Sequence, residues 1–134
     1  AKANWSYRHS LMMDDGSIVL EATLQLTPDD QNAIQARMDD LRQRREDKQP
    51  LNMPSAGSTF KRPEGYFAGK LIEDAGLRGY RCGGAQVSEK HCGFVVNAGG
   101  ATAQDVCDLI AHVQKAVYER DDVHMEPEIR MWGF

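Results

Sequence analysis

The sequence predicts an α+β fold, a small, mostly antiparallel sheet with helices packed on one face. Three observations carry that expectation. Residues 18–26 alternate apolar and polar with the period of a strand. Val106, Leu109, Ile110, Val113 and Val117 recur at the spacing of one helix face. The elements succeed one another as strand, helix, loop, helix, strand, helix, strand, which suits helices laid on one sheet. With 134 residues, 41% apolar and 27% charged, the chain has enough core-forming residues to fold without disulfide staples.

The first strand is read over Ile18, Leu20, Ala22, Leu24 and Leu26, whose partners on the other face are Val19, Glu21, Thr23 and Gln25. It ends at Thr27. Thr27-Pro28-Asp29-Asp30 then opens a helix to about Asp47, because a hydroxyl cap, a first-turn proline and acids at the positive dipole end all favour a start there. Ile34, Met38 and Leu41 form its narrow apolar stripe, expected to pack, while Arg42, Arg44, Arg45, Glu46, Asp47 and Lys48 read as a solvated face.

Residues 49–66 hold three of the five prolines together with Gly57 and Gly65, and read as a long structured loop outside the core. Ordered loops of that length inside a compact domain are commonly functional. A short helix from about Phe67 to Ala75 is closed by Gly76, and Gly79, Gly83 and Gly84 punctuate the stretch after it. Phe94-Val95-Val96-Asn97 reads as a short buried strand. Thr102-Ala103-Gln104-Asp105 has the form of a capping box with Asp in place of Glu, and the apolar spacing from Val106 to Val117 continues the helix it opens. The segment from His124 to Trp132 alternates like a strand but contains Pro127, which confines it to an edge or a bulge.

A formal charge of −4 supplies no general basic field, so nucleic acid and anionic membranes are not expected partners, and any phosphate must be held locally. Cys82, Cys92 and Cys107 are odd in number and match no zinc spacing, and His9, His91, His112 and His124 show no ligand spacing either. Reduced thiols and no metal site are expected. His112 reads as a surface residue. The chain has no run of about 18 apolar residues, and its first residues lack the apolar core of a signal peptide, which places it in the cytoplasm. It also opens without methionine and in mid-pattern, so it is expected to be a piece of something longer.

Individually, the polar motifs are weak. Gly99-Gly100 before the Thr102 cap reads as a plain turn more readily than as an anion site. Ser58, in a Gly-Ser step, reads from spacing alone as a turn serine capping its own backbone. Glu126 and Glu128 flank Pro127 and share a side by strand alternation, as two exposed edge acids can. Lys61, Arg62, Arg78 and Arg81 lie in loops near glycines, where a cation can reach a phosphate.

Taken together and in order, these blocks resemble one family. Tyr7-Arg8-x-Ser10, Lys48-Gln49-Pro50 and the run from Pro54 to Pro63 are succeeded by Ala68 to Glu73, Ala75 to Gly79 and Gly83-Gly84-Ala85. Val87-Ser88-x-Lys90-His91, Gly93-Phe94-x-Val96-Asn97 and Glu126-Pro127-Glu128-Ile129-Arg130 complete the series. The whole is similar to the UDP-N-acetylenolpyruvoylglucosamine reductase family, the MurB enzymes of peptidoglycan synthesis. The resemblance implies reduction of the enolpyruvyl ether of UDP-N-acetylglucosamine with NADPH and a bound FAD. It implies Ser58 as proton donor and Glu128 across the site to stabilise or protonate the intermediate. Tyr7, Lys48, Arg62, Arg78 and His91 are implied for the substrate's diphosphate and sugar, and Arg130 near the flavin. Lys61-Arg62-Pro63 stands where some members have Lys-Asn-Pro, which fits the shorter branch of the family.

By the same resemblance, residues 1–50 are the end of a flavin-binding domain, a strand plus a helix, and residues 51–134 are the substrate-binding C-terminal domain. The main flavin-binding region and a further active-site arginine are implied upstream of Ala1. The chain alone is therefore expected to be inactive and to hold little FAD. The competing expectation is a free-standing module that binds a UDP-sugar without redox chemistry.

Overall fold

The computed structural model describes residues 3–133 and divides into two compact units, Ala1–Gln35 and Ala36–Phe134. In the first unit, a turn pairs Ser6 with His9 and leads into α1, Leu11–Asp15, which Gly16 closes in the left-handed conformation. His9 Nε2 lies 2.8 Å from Asp14 Oδ1.

Residues 17–27 carry no strand. Ile18, Leu20, Leu24 and Leu26 are 84%, 94%, 78% and 75% exposed, so the strand expected here does not form. The reason is physical: a strand's N–H and C=O groups need a neighbouring ladder, and the sheet of this protein does not include the segment. The alternation is real, and its partner is absent from the described residues.

α2, Gln31–Lys48, starts later than Thr27. Asp30 is the residue that caps it, its Oδ1 accepting from Ala33 N at 3.0 Å, while the Asp29 carboxylate accepts from Asp30 N at 2.8 Å. Two carboxylates nearer the apolar run thus outcompete the Thr27 hydroxyl. The unit boundary falls within this helix, after Gln35. Its stripe does not pack as expected, since Ile34, Met38 and Leu41 are 37%, 53% and 64% exposed.

The second unit is built on a four-stranded antiparallel sheet in the order β1-β4-β3-β2, with β1 Ser55–Ser58, β2 Arg81–Cys82, β3 Ala85–Val87 and β4 Phe94–Asn97. β4 lies where Phe94 to Asn97 predicts it and is buried over its first three residues. β2 and β3 form a hairpin around Gly83-Gly84 that was legible only as glycine punctuation. β1 lies inside the stretch read as a loop outside the core. That reading is corrected: Ser55 to Ser58 pair with β4, and Thr59 and Phe60 after them are 2% and 3% exposed. The segment from His124 to Trp132 makes only an isolated bridge, Phe60 to Pro127, and not a strand. Pro127 has no N–H to extend a ladder, so pairing stops there.

α4, Ala103–Asp121, packs against β2 and β3 of the sheet, and α3, Ala68–Asp74, packs against α4, which agrees with the expected fold class. The core joins Leu71, Ile72 and Leu77 to Ala85, Val87 and Val95 and to the α4 stripe Leu109, Ile110, Val113 and Val117. Each of those large side chains contributes about 1.5–3 kcal/mol by leaving water. His112 is not fully exposed: it is half-buried, its ring stacked on Tyr80 at 4.3 Å and 4°.

The Thr102 capping box closes as its sequence predicts, with Asp105 N donating to Thr102 Oγ1 at 3.1 Å and Thr102 N to Asp105 Oδ2 at 2.9 Å. The same Oδ2 accepts from Gly84 N at 3.2 Å, so one carboxylate ties the β2–β3 turn to the start of α4. The main-chain N–H of Thr102, then that of Gly84, hold the Asp105 carboxyl below its ordinary range. A depressed carboxyl contributes stability above its unfolded value of about 3.9, and that contribution fades as pH falls through the folded value. Asp105→Asn keeps an acceptor oxygen but cannot titrate. Urea unfolding at pH values from 7 to 3 should therefore show a shallower loss of stability below pH 4 in the variant than in the parent. Coincident acid limbs would contradict this role.

Candidate active site

The residues singled out by sequence sort around the edge of β1. The β1–β4 ladder runs from Ser55 opposite Val96 to Ser58 opposite Phe94, with a register shift between. Gly57, at φ +88, sits in that shift, where a residue with a Cβ would be strained, and it turns Ser58 back into register. Ser58 is exposed and Thr59 beneath it is buried.

On its other side the same stretch meets the C-terminal segment. Glu128 N donates to Thr59 O at 2.8 Å, and Lys61 N donates to Glu126 O at 2.8 Å. The Lys61 ammonium also pairs with the Glu126 carboxylate. Ser58 and Glu128, seventy residues apart in sequence, are thereby adjacent through Thr59. The two glutamates differ: Glu126 is exposed and ion-paired, whereas Glu128 is half-buried with its Oε2 enclosed. A hydroxyl and a carboxylate are the residue types that can hold or move a proton.

His91 joins the site from the β3–β4 turn. Its N–H donates to Ser88 Oγ at 3.3 Å, and its Nδ1 accepts from Gly93 N at 3.1 Å. With Nδ1 accepting, the neutral ring carries its proton on Nε2. The ring stands edge-on to Phe94 at 5.2 Å and 74°, and Phe94 is the ladder partner of Ser58. Thr59 N donates to Gly93 O at 2.8 Å, which closes the link between the two turns.

Arg62 lies further along the same strand run. Its guanidinium carbon is 3.9 Å from the Phe67 ring centroid, and its Nε donates to Tyr66 O at 3.0 Å. The loop after Pro63 therefore holds the cation in place while its remaining N–H groups face outward, which suits an anionic ligand. Arg78 is more committed. Its Nη2 lies 2.8 Å from Glu73 Oε1, and its Nη1 donates to the Glu89 carbonyl, so it fastens α3 to the β3–β4 turn. Beside it, burial pushes the Cys92 thiol up, against a smaller opposing pull from Arg78. Cys82, Cys92 and Cys107 are free thiols.

Lys48 is the exposed last residue of α2. Tyr7 belongs to the first unit, is 71% exposed, and lies under the Arg8 guanidinium at 5.3 Å. Arg130 is exposed in the irregular C-terminal segment. The structure thus gathers Ser58, Glu128 and His91 on one scaffold, with Arg62 and Arg78 on loops that continue it. Gly99-Gly100 is a turn held by Asn97 Oδ1, which accepts from Gly99 N and Ala101 N, as the sequence favours.

Two open hollows lie beside this group. One, of about 580 Å³, is lined by Glu46, the turn from Gln49 to Met53, and Gln86, Ser88, Glu89, Lys90 and Val96, with Lys90 Nζ donating to Glu46 O at 2.5 Å. The other, of about 370 Å³, is lined mainly by Pro54, Thr59, Val95, Val96, Val106 and Ile129. Neither includes Ser58, Glu128 or Arg130. Arg130, the residue the resemblance sets beside the flavin, is not among the residues that line these two hollows. Among the described residues no cluster of His, Cys, Asp and Glu could hold a metal, and no helix is long and apolar enough to cross a membrane.

Thr59 was missed by sequence reasoning. The available signal was the step Gly57-Ser58-Thr59-Phe60, in which a β-branched residue comes after the serine and can pack on the sheet while the serine faces out.

Residues 49–132 match the family model described as UDP-N-acetylenolpyruvoylglucosamine reductase, C-terminal domain. A reductase of that name from Clostridium perfringens (strain SM101 / Type A) is 61% identical over 127 residues, 95% of this chain and 42% of the relative. One from Clostridium beijerinckii is 58% identical over 133 residues, 99% of this chain and 44% of the relative. A crystal structure of UDP-N-acetylenolpyruvylglucosamine reductase from Thermus caldophilus superposes with a TM-score of 0.82 at 36% identity, covering 97% of this chain and 46% of that one. The chain spans about two-fifths of the length of the curated relatives it matches.

Proposed function

This chain belongs to the UDP-N-acetylenolpyruvoylglucosamine reductase family, and from that premise we propose that it supplies the substrate-binding and protonating part of a reductase acting on UDP-N-acetylglucosamine enolpyruvate in peptidoglycan synthesis. The observation that supports the reading is the main-chain bond from Glu128 N to Thr59 O, which ties the Glu128 segment to the residue after Ser58. NADPH, through FAD held by a region equivalent to the part of the relatives this chain does not span, supplies the hydride. The chain's own residues bind and protonate.

When hydride reaches the vinyl carbon far from the ether oxygen, charge develops on the carbon beside the carboxylate. Ser58 delivers a proton there, and Glu128 helps to stabilise or protonate the intermediate. Arg62, Arg78 and His91, with Tyr7 and Lys48, contribute the cations and hydrogen-bond donors suited to a diphosphate and a sugar. Arg130 is assigned to the flavin side. Residues 1–50 are assigned to the flavin-binding domain and residues 51–134 to substrate binding, and we place the reaction in the cytoplasm. The exposed alternation at Ile18, Leu20, Leu24 and Leu26 supports the first assignment, since it is a strand's pattern lacking a sheet.

Mixing the chain with the uncovered part of the Clostridium perfringens relative tests this. Substrate-dependent NADPH oxidation and slowed amide exchange over residues 18–26 are expected only in the mixture. The chain alone should show no stoichiometric flavin absorbance. Yellow protein from the chain alone would overturn the division of labour. Micromolar binding of UDP-N-acetylglucosamine by the chain, with an inactive mixture, would instead establish a UDP-sugar module.

A further inference from the structure

We infer that Thr59 is a positioning residue, the joint that sets the spacing of Ser58 and Glu128 across the site; this rests on the reductase reading above. Four hydrogen bonds meet on its neighbourhood. Thr59 N donates to Gly93 O at 2.8 Å, and Thr59 Oγ1 accepts from Val95 N at 3.0 Å, which locks the residue to β4 at two levels. On the opposite side, Thr59 O accepts from Glu128 N, and two residues on, Lys61 N donates to Glu126 O.

The C-terminal segment has no strand of its own. Its link to the sheet is the isolated Phe60–Pro127 bridge with these two main-chain bonds and the Lys61–Glu126 ion pair. The main chain of residues 59 to 61 is therefore what ties Glu128 to the sheet, while Met125 and Ile129 on either side of it pack against the core. That main chain is held to β4 by Thr59 N at Gly93 O and, past the register shift between Ser55 and Ser58, by the Thr59 side chain at Val95 N. Ser58 is exposed, Glu128 half-buried and Thr59 2% exposed, so the residue that links their main chains is the buried one. A hydroxyl acid depends on position for its reactivity, and a displacement near 1 Å costs about 10²-fold in rate. Thr59 touches no substrate in this account and acts through its neighbours.

The test uses the active mixture of the chain with the complementary part of a relative. Thr59→Val keeps the shape and removes the acceptor for Val95 N, whereas Thr59→Ser keeps the acceptor. In stopped-flow measurements, Thr59→Val should leave flavin reduction by NADPH and the KM for the UDP-sugar unchanged while slowing reoxidation by substrate about 10²-fold. Thr59→Ser should remain within a few-fold of the parent. Reoxidation at the parent rate in a folded Thr59→Val variant overturns the inference and leaves the reductase reading intact; an inactive parent mixture overturns both. Should Thr59→Val fail to fold, amide exchange in the unaltered chain decides. Protection of Glu128 N equal to that of β4 amides supports the clamp, and exchange as fast as in the exposed loops overturns it.

Discussion

Ser58→Ala, in the chain complemented by the remaining part of a relative, is expected to leave flavin reduction by NADPH at the parent rate and to slow reoxidation by the enolpyruvyl substrate by about 10²- to 10⁴-fold. On the proposed mechanism the two half-reactions separate because Ser58 takes no part in the first. An aliphatic hydroxyl is a poor acid, so the step it performs depends on being held against the carbon that develops charge and on a group that replaces the lost proton. The structure shows what holds the two residues in place. Ser58 comes directly after the Gly57 register shift and is clamped opposite Phe94, and the Glu128 segment is tied to Thr59 immediately beside it. Alanine retains the strand geometry and removes only the hydroxyl, so the folded state should be unaffected. Stopped-flow absorbance of the flavin, recorded first with NADPH and then with substrate, reads each half separately. Unchanged reoxidation would remove Ser58 from the chemistry and leave it as the turn residue that its spacing alone suggests.

Different parts of this molecule were legible in the sequence to different degrees, and the differences have physical causes. The Thr102–Asp105 box and the β4 run from Phe94 to Asn97 were readable because local hydrogen bonds and burial point the same way. β1 was not, since Ser-Ala-Gly-Ser has no apolar period and owes its strand state to β4 and to the buried Thr59 and Phe60 after it. β2 and β3 are too short for periodicity to register. At the other extreme, Ile18 to Leu26 and the Ile34, Met38, Leu41 stripe carry strong patterns that find nothing to pack on within the described residues. Pattern specifies which face wants burial, and only tertiary partners decide whether it is buried. The candidate site divides the same way. The serine, the glutamate and the cations were singled out through ordered motifs, whereas the bonds of Thr59 to Gly93, Val95 and Glu128 lie in no local window.

Gly84→Ala is expected to destabilise the second unit by about 3 kcal/mol or more, at the upper end of what overpacking costs. Gly84 is part-buried in the β2–β3 turn, where the chain passes directly against the loop that starts α4. A Cβ there would sit 2.3 Å from Ala101 N, 2.4 Å from Gly99 O and 2.6 Å from Ala101 Cα. All three are main-chain atoms, so no side-chain rotation relieves the overlap. Moving the loop apart would break the Gly84 N to Asp105 Oδ2 bond and the Ala98 N to Gly84 O bond, and with them the coupling of the hairpin to the capped end of α4. Gly76→Ala separates this collision from backbone strain. Gly76 has φ +73 and nothing within 4 Å of its added Cβ, so alanine there costs only the left-handed conformation, about 1 kcal/mol. In thermal unfolding, Gly84→Ala should lower Tm by on the order of 10–20 °C and Gly76→Ala by roughly 5 °C. Equal shifts would mean that the hairpin and the α4 loop are not in the close contact that gives Asp105 its second donor.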